Sequence, residues 1–205
     1  MKHEWRKNEK AFYLPKAKPE LVEIPRYTFV SIQGAGNPGG EDFGRNVEAL
    51  YTFSYGVRMS YKWPEPPDEY YEYTVYPLEG IWDLAHPEKK NGPVDKDDLI
   101  YRVMIRQPDF FNEELFGEIK ERIAKKKALP EIENLEIYQE EEGTCVQMLH
   151  KGSFDSEPES FALMHEFCEK QGLVRQSMQH REIYLSDPRK VTEDKLKTVL
   201  RFQVD

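Results

Sequence analysis

Twice along this chain a strand with a glycine turn is followed by a helix and two more strands. LVEIPRYTFVSIQGAG (21–36) reads as the first strand, with Val22, Ile24, Phe29, Val30 and Ile32 supplying β-propensity around an interruption at Pro25. Phe43, Val47, Leu50 and Val57 then recur at helical spacing, so 42–61 reads as an amphipathic helix, stopped by the prolines of KWPEPPDE (62–69). YYEYTVYPLEGIWDL (70–84) reads as a long aromatic strand, bulged near Pro77 and Gly80. Its returning partner is LIYRVMIRQP (99–108), reached through a loop with an Asn91-Gly92 turn signal.

The second set follows a helix over 113–127, capped by Asn112 and striped by Leu115, Phe116, Ile119 and Ile123. LPEIENLEIYQEEEGTCVQMLHKGSF (129–154) gives two strand-like runs about a turn at Gly143. Phe161, Met164, Phe167 and Cys168 mark the next helix, which ends at Gly172. Strands over 180–186 and 196–204 flank a turn at Asp187-Pro188. The repetition lies in the order of elements, because similarity between the two stretches is weak. Residues 1–20 form a surface arm, or a short helix that packs Trp5 and Phe12. The domain at 21–205 then divides into repeat one (about 21–108), a linker helix (about 109–130) and repeat two (about 131–205). Neither β-α-β-β unit buries a sheet face well alone. Joined edge to edge, they predict an α+β fold: one antiparallel sheet, helices on one face, and a central ligand cleft on the other.

Composition narrows what such a cleft could serve. A chain of 205 residues buries roughly 70% of its unfolded surface and needs no metal or disulfide staple. With 33% charged and 39% hydrophobic residues, disorder is not expected. The net charge of -9 argues against direct nucleic-acid binding and against an anionic membrane surface. The first residues, MKHEWRKNEKAFYLP, lack the apolar core of a signal peptide, and no run approaches the 18 or so apolar residues of a membrane span. Cys145 and Cys168 read as free thiols. The expectation is a cytoplasmic monomer or small homo-oligomer.

Strand alternation assigns faces. In 70–79, Tyr71, Tyr73, Val75 and Glu79 share one face, unless a bulge at Pro77 removes Glu79. In 180–186, His180, Glu182 and Tyr184 share a face, and Ile183 and Leu185 take the other, expected against helices. Each repeat thus offers a carboxylate near tyrosines, and a pseudo-twofold would gather them in one cleft. A glutamate among rings has two uses. Desolvation raises its pKa and makes it a general acid or base near neutrality, or it stays charged and binds a flat cation. The plain alternative is a strand-edge glutamate that faces water or pairs with Arg181 or Arg102. Trp63 and Trp82 are pocket walls or core residues, and Tyr55 on the first helix reads as a packing residue more than an acid. The five histidines form no HxH or HExxH, and the two cysteines no CxxC, so no metal and no cofactor is expected. GAGNPGGEDFG (34–44) lacks the Gly-Lys-Ser/Thr of a P-loop, and HKGSF (150–154) is no nucleophile elbow. The runs EIKERIAKKK (118–127) and QEEEG (139–143) read as solvated surface.

REIYLSDPRK (181–190) with its following Lys-Leu-Lys-Thr, YYEYTVYPLEGIWDL, and HKGSF before a helix resemble the GyrI-like small-molecule-binding proteins over about residues 20–205. The resemblance implies a duplicated β-α-β-β (SHS2-type) fold around a cleft, agreeing with the repeat read from the residues. The chain resembles the stand-alone class, and within it the cyclopropanoid cyclopropyl hydrolases, which open the strained cyclopropane of DNA-alkylating cyclopropapyrroloindoles and protect the cell. The family's pocket glutamate falls on Glu182, and its first-repeat pocket strand on Tyr71 to Trp82. The implied mechanism has Glu182 orient or deprotonate water, while Tyr71 or Tyr55 supports the carbonyl oxygen. Alternatively, Glu79 holds the water. Tyr73, Trp63, Trp82, Tyr184 and His180, with Glu79, would line the ligand. The partner implied is a flat aromatic or hydrophobic small molecule. The alternatives are binding or sequestration of hydrophobic aromatic or cationic molecules without turnover, and interaction with DNA gyrase.

Overall fold

The computed structural model describes residues 2–86 and 95–205, so the Asn91-Gly92 turn lies outside the described residues. The chain is mixed α+β. In order come α1 (Trp5–Asn8), α2 (Lys10–Tyr13), β1 (Glu20–Ala35), α3 (Glu41–Met59), β2 (Leu78–Leu84), β3 (Leu99–Arg106), α4 (Glu113–Ala124), β4 (Glu136–Lys151), α5 (Glu157–Gln171), β5 (His180–Tyr184) and β6 (Lys197–Gln203). The order strand, helix, strand, strand therefore occurs twice, as β1-α3-β2-β3 and β4-α5-β5-β6. The strand pairs are antiparallel. No helix among the described residues is long and apolar enough to cross a membrane.

The chain forms two compact units that are not its consecutive halves. Unit one holds Met1–Glu4, Tyr27–Leu78 and Leu84–Glu140; unit two holds Trp5–Arg26, Glu79–Asp83 and Glu141–Asp205.

In unit one, β1 pairs with β3 from Phe29 opposite Arg106 to Ala35 opposite Ile100. α3 buries Leu50, Phe53 and Val57, and α4 buries Leu115, Ile119 and Ile123, as their helical spacing requires. Phe53 meets Phe116 at 5.2 Å and Phe111 edge-on at 6.0 Å. α4 starts where its sequence says it should. The Asn112 side chain accepts the Leu115 N–H at 2.9 Å, and Glu113 and Glu114 sit at the positive end of the helix. β1 runs through Pro25 without a break, because extended backbone accommodates a proline on an exposed position.

The aromatic run departs from expectation. Only Leu78–Leu84 is strand; 70–77 is irregular, with one parallel bridge between Tyr73 and His3. Ring packing holds the segment in place of a ladder. Tyr70, Tyr71 and Tyr73 all lie against Phe110, with centroids at 5.0, 5.3 and 6.0 Å, and the Tyr70 hydroxyl donates to the Arg58 carbonyl at 2.8 Å.

In unit two the strand order is β2-β5-β6-β4. Matching registers make rows across it: Gly80, Glu182, Leu200 and Met148 form one, and Tyr184, Thr198 and His150 the next. α5 packs Met164 and Cys168 onto Val146, Met148, Leu200 and Phe202, and it ends in Gly172 with φ 69°. β4 is one strand of 16 residues, not two runs about a turn. Gly143 takes φ 64° inside it, a left-handed kink that a glycine absorbs without ending the strand.

The opposite face of this sheet is filled by charge. Arg181 and Arg201 are cross-strand partners. Glu142 bridges them, 3.1 Å from Arg181 Nε and 2.9 Å from Arg201 Nη1, while Glu79 lies 2.6 Å from Arg181 Nη1. All four are buried, so Glu142 is not the solvated residue that QEEEG suggested. Two cations and two carboxylates balance, which is what makes their burial tolerable. The N-terminal segment completes the network. Phe12 O accepts from Arg201 Nη2 at 2.7 Å, Ala11 O accepts from the Gln147 amide at 2.7 Å, and Tyr13 OH lies 3.4 Å from Glu79. Trp5 and Tyr13 are buried and their rings are 5.3 Å apart, whereas Phe12 is half-buried; the segment is built in and is not a surface arm.

Candidate functional site

The alternation expected for β5 holds, but the helix lies on the other side from the one expected. Glu182 is opposite Leu200, and Leu200 belongs to the core under α5, so His180, Glu182 and Tyr184 face the helix. Ile183 faces the side of the ion-pair network. Assigning the helix to Ile183 rests on the premise that buried apolar side chains mark a helix-covered face, and the charged interior of this sheet breaks that premise.

Gly80, the β2 partner of Glu182, makes room for an indole. A Cβ there would lie 2.6 Å from Trp82 Nε1 and 3.1 Å from the Tyr184 hydroxyl. Without it, the Trp82 ring folds across the strand and donates to Tyr184 at 2.7 Å. The Tyr184 hydroxyl bonds in turn to Glu182, and His180 Nε2 lies 3.1 Å from the Glu182 carboxylate. The Phe161 ring stands edge-on to His180 at 4.9 Å, and the exposed Phe154 edge-on to Tyr184 at 6.0 Å. The Glu182 side chain is 11% exposed and does not face bulk water.

The remaining member comes from the first turn of α5. The Glu157 carboxyl is hydrogen-bonded to that of Glu182. A helix N-terminus ordinarily favours a carboxylate. Here burial, then the charge of Glu182 and the bond to it, then Asp155, push Glu157 up to about 9. Burial, followed by the neighbouring Glu182 charge, raises the Tyr184 phenol well above its ordinary range. Two carboxyl groups in contact cannot both ionise cheaply, so Glu157 keeps its proton at neutral pH. Glu157 Oε1 is buried with no hydrogen-bond partner among the described residues. Such a pair can give a proton at one oxygen and take one at another, or balance a bound cation.

Of the residues singled out in the sequence, Glu182, His180, Tyr184 and Trp82 come together here. Glu79 lies in unit two on the opposite sheet face and is engaged by Arg181. Tyr55, Tyr71, Tyr73 and Trp63 belong to unit one. Tyr55 is exposed on α3; the Tyr71 hydroxyl accepts the Asp109 N–H at 3.2 Å; Trp63 lies under the Arg122 guanidinium at 3.9 Å. Tyr73 is buried, its hydroxyl has no hydrogen-bond partner among the described residues, and burial drives its pKa far up. Glu157 was missed. The signal existed: the stripe Phe161, Met164, Cys168, extended back one turn, lands on Glu157, a carboxylate at a core position.

The model of the GyrI-like small molecule binding domain matches residues 17–205. A crystal structure described as a hydrolase from Listeria innocua is 38% identical, with a TM-score of 0.89, covering 99% of this chain and 100% of that one. A second, described as an uncharacterized conserved protein from Listeria innocua, is 39% identical with a TM-score of 0.91 over 99% of this chain and 100% of that one. The C-terminal domain of EcmrR is similar in fold at 13% identity, with a TM-score of 0.52 over 92% of this chain and 97% of that domain. No curated protein matches the chain.

Proposed function

The chain belongs to the GyrI-like small molecule binding domain family, and on that premise we propose that the Glu157–Glu182 pair adds water to the strained cyclopropane of a flat cyclopropapyrroloindole-type molecule, protecting the cell from alkylation. One observation carries this reading: two buried carboxyls in contact, with Glu157 held protonated up to about pH 9. The 38% identity to a protein described as a hydrolase supports it.

In this reading Glu182 accepts a proton from water as the water oxygen bonds to the unsubstituted cyclopropane carbon. The bond from that carbon to the ring system breaks. Its electron pair passes through the conjugated ring to the carbonyl oxygen, which receives the Glu157 proton and becomes a phenol. The proton taken by Glu182 then passes along the hydrogen bond to Glu157. The sum is addition of one water, with both carboxyls restored. His180 and Tyr184 hold Glu182 by hydrogen bonds, and Trp82 and Phe154 offer rings to a flat ligand. Proton delivery thus falls to Glu157 in place of Tyr71 or Tyr55. Ring strain supplies driving force, so positioning and a ready proton suffice.

A second reading, binding without turnover, is favoured by the description of the family as small-molecule-binding. The same groups would then hold a hydrophobic aromatic or cationic ligand. Incubation with a cyclopropapyrroloindole followed by mass spectrometry separates the two. Turnover predicts a product heavier by one water, abolished in Glu182→Gln. Binding alone predicts calorimetric heat with unchanged compound. Neither heat nor product would defeat both.

A further inference from the structure

α5 begins without a side-chain cap. Ser156 precedes the helix, yet its hydroxyl makes no capping bond. It donates instead to the Ser153 carbonyl at 2.8 Å and lies 3.1 Å from His150 Nε2. His150 reaches the same carbonyl through Nε2 at 3.0 Å, and its Nδ1 lies 2.8 Å from the hydroxyl of Ser160 on α5. A carbonyl only accepts, so Nε2 carries the proton toward Ser153 and Nδ1 accepts from Ser160. His150 and Ser160 are buried. His150 stands in the row of Thr198 and Tyr184, next to the row of Glu182. One imidazole therefore ties β4 to the turn before α5 and to the helix itself, on both sides of Glu157.

We propose that His150 is a positioning residue: through Ser153, Ser156 and Ser160 it fixes the first turn of α5 and so holds Glu157 against Glu182. This deepens the reading of the carboxyl pair as the site, but it does not require turnover. The groups that bear on Glu157 are Glu182 and Tyr184 from β5 and Asp155 from the turn before the helix. The hydrogen bonds of His150 run to Ser153, Ser156 and Ser160, so it would act only by fixing the backbone that carries Glu157.

Infrared titration of folded protein carrying glutamate labelled at the side-chain carboxyl tests this. The protonated Glu157 band, assigned by its loss in Glu157→Gln, is expected to persist through neutral pH and disappear near 9. In His150→Ala and in Ser160→Ala its midpoint should fall by about one pH unit or more, a tenfold loss of proton affinity. His150→Gln, which keeps a donor for the Ser153 carbonyl, should restore part of the shift. A lower melting temperature with an unmoved midpoint in both alanine variants would overturn the proposal, since that is what a merely structural histidine gives. If His150→Ala does not fold, Ser160→Ala and Ser156→Ala decide alone, because both leave the imidazole in place. If the wild-type band is absent at pH 7, the carboxyl pair itself fails, and the proposal with it. Absence of ligand turnover, by contrast, would count against the hydrolase reading alone.

Discussion

Glu157 and Glu182 meet across the interface of α5 and β5 with one hydrogen bond between their carboxyls, although the helix start that carries Glu157 would by itself favour a carboxylate. Contact and burial reverse that preference for Glu157. The folded-state value, raised above the unfolded one, fixes a sign. The native state holds a proton that the unfolded state releases, from about pH 4.5 up to about 9.

Stability should therefore be greatest, as far as this group is concerned, below the unfolded pKa, and should fall as pH rises toward 9. One retained proton gives a slope of about 1.4 kcal/mol per pH unit. Glu157→Gln keeps a neutral side chain of the same shape and removes the slope. Urea denaturation at pH 6 and pH 8 should show the variant gaining on the wild type by about 2–3 kcal/mol between the two. Parallel curves would mean that Glu157 is already ionised.

Gly80→Ala should break the Trp82–Tyr184 hydrogen bond, because the new methyl meets the indole nitrogen at 2.6 Å. A loss of about 1–3 kcal/mol is expected from overpacking. Near-ultraviolet circular dichroism should change with it. An unaltered spectrum would show that the indole does not lie across the strand.

Glu142→Gln and Glu136→Gln contrast two kinds of ion pair. Glu142 bridges two buried arginines, and its loss leaves an uncompensated interior charge, at a cost of about 3–5 kcal/mol. Glu136 pairs with Arg102 at a half-exposed position, where about 1 kcal/mol or less is expected. Equal costs by chemical denaturation would contradict the burial of the first.

Asn112→Ala should cost about 1 kcal/mol, the value of a helix cap, read as a lower melting temperature. Asn112→Asp should retain most of that stability, since a carboxylate accepts the same N–H.

Where sequence signals were local, they could be read. The Asn112 cap, the Gly172 stop, the α4 stripe and the grouping of His180, Glu182 and Tyr184 come from periodicity and turn chemistry alone, and the structure has each of them. Signals that depend on the partner could not. Alternation tells that Glu182 and Ile183 face opposite ways, but not which of those faces α5 covers. The tyrosines of 70–77 have strand composition, yet Phe110, 37 to 40 residues beyond Tyr73, Tyr71 and Tyr70, supplies the ring partner where a ladder was expected. Glu142 looks like a surface charge until the fold sets it between Arg181 and Arg201. Glu157 could have been read, had the α5 stripe been followed through a charged residue.

The carbonyls of Ala11 and Phe12 have a practical bearing on how the protein is trimmed. A fragment cut to the family match would begin at residue 17 and discard both acceptors, together with Trp5 and Tyr13. The Arg201 guanidinium and the Gln147 amide would each lose one buried acceptor, keeping Glu142 and Glu20 respectively, so shortening the N-terminus to residue 17 should lower stability even though the whole family match is retained.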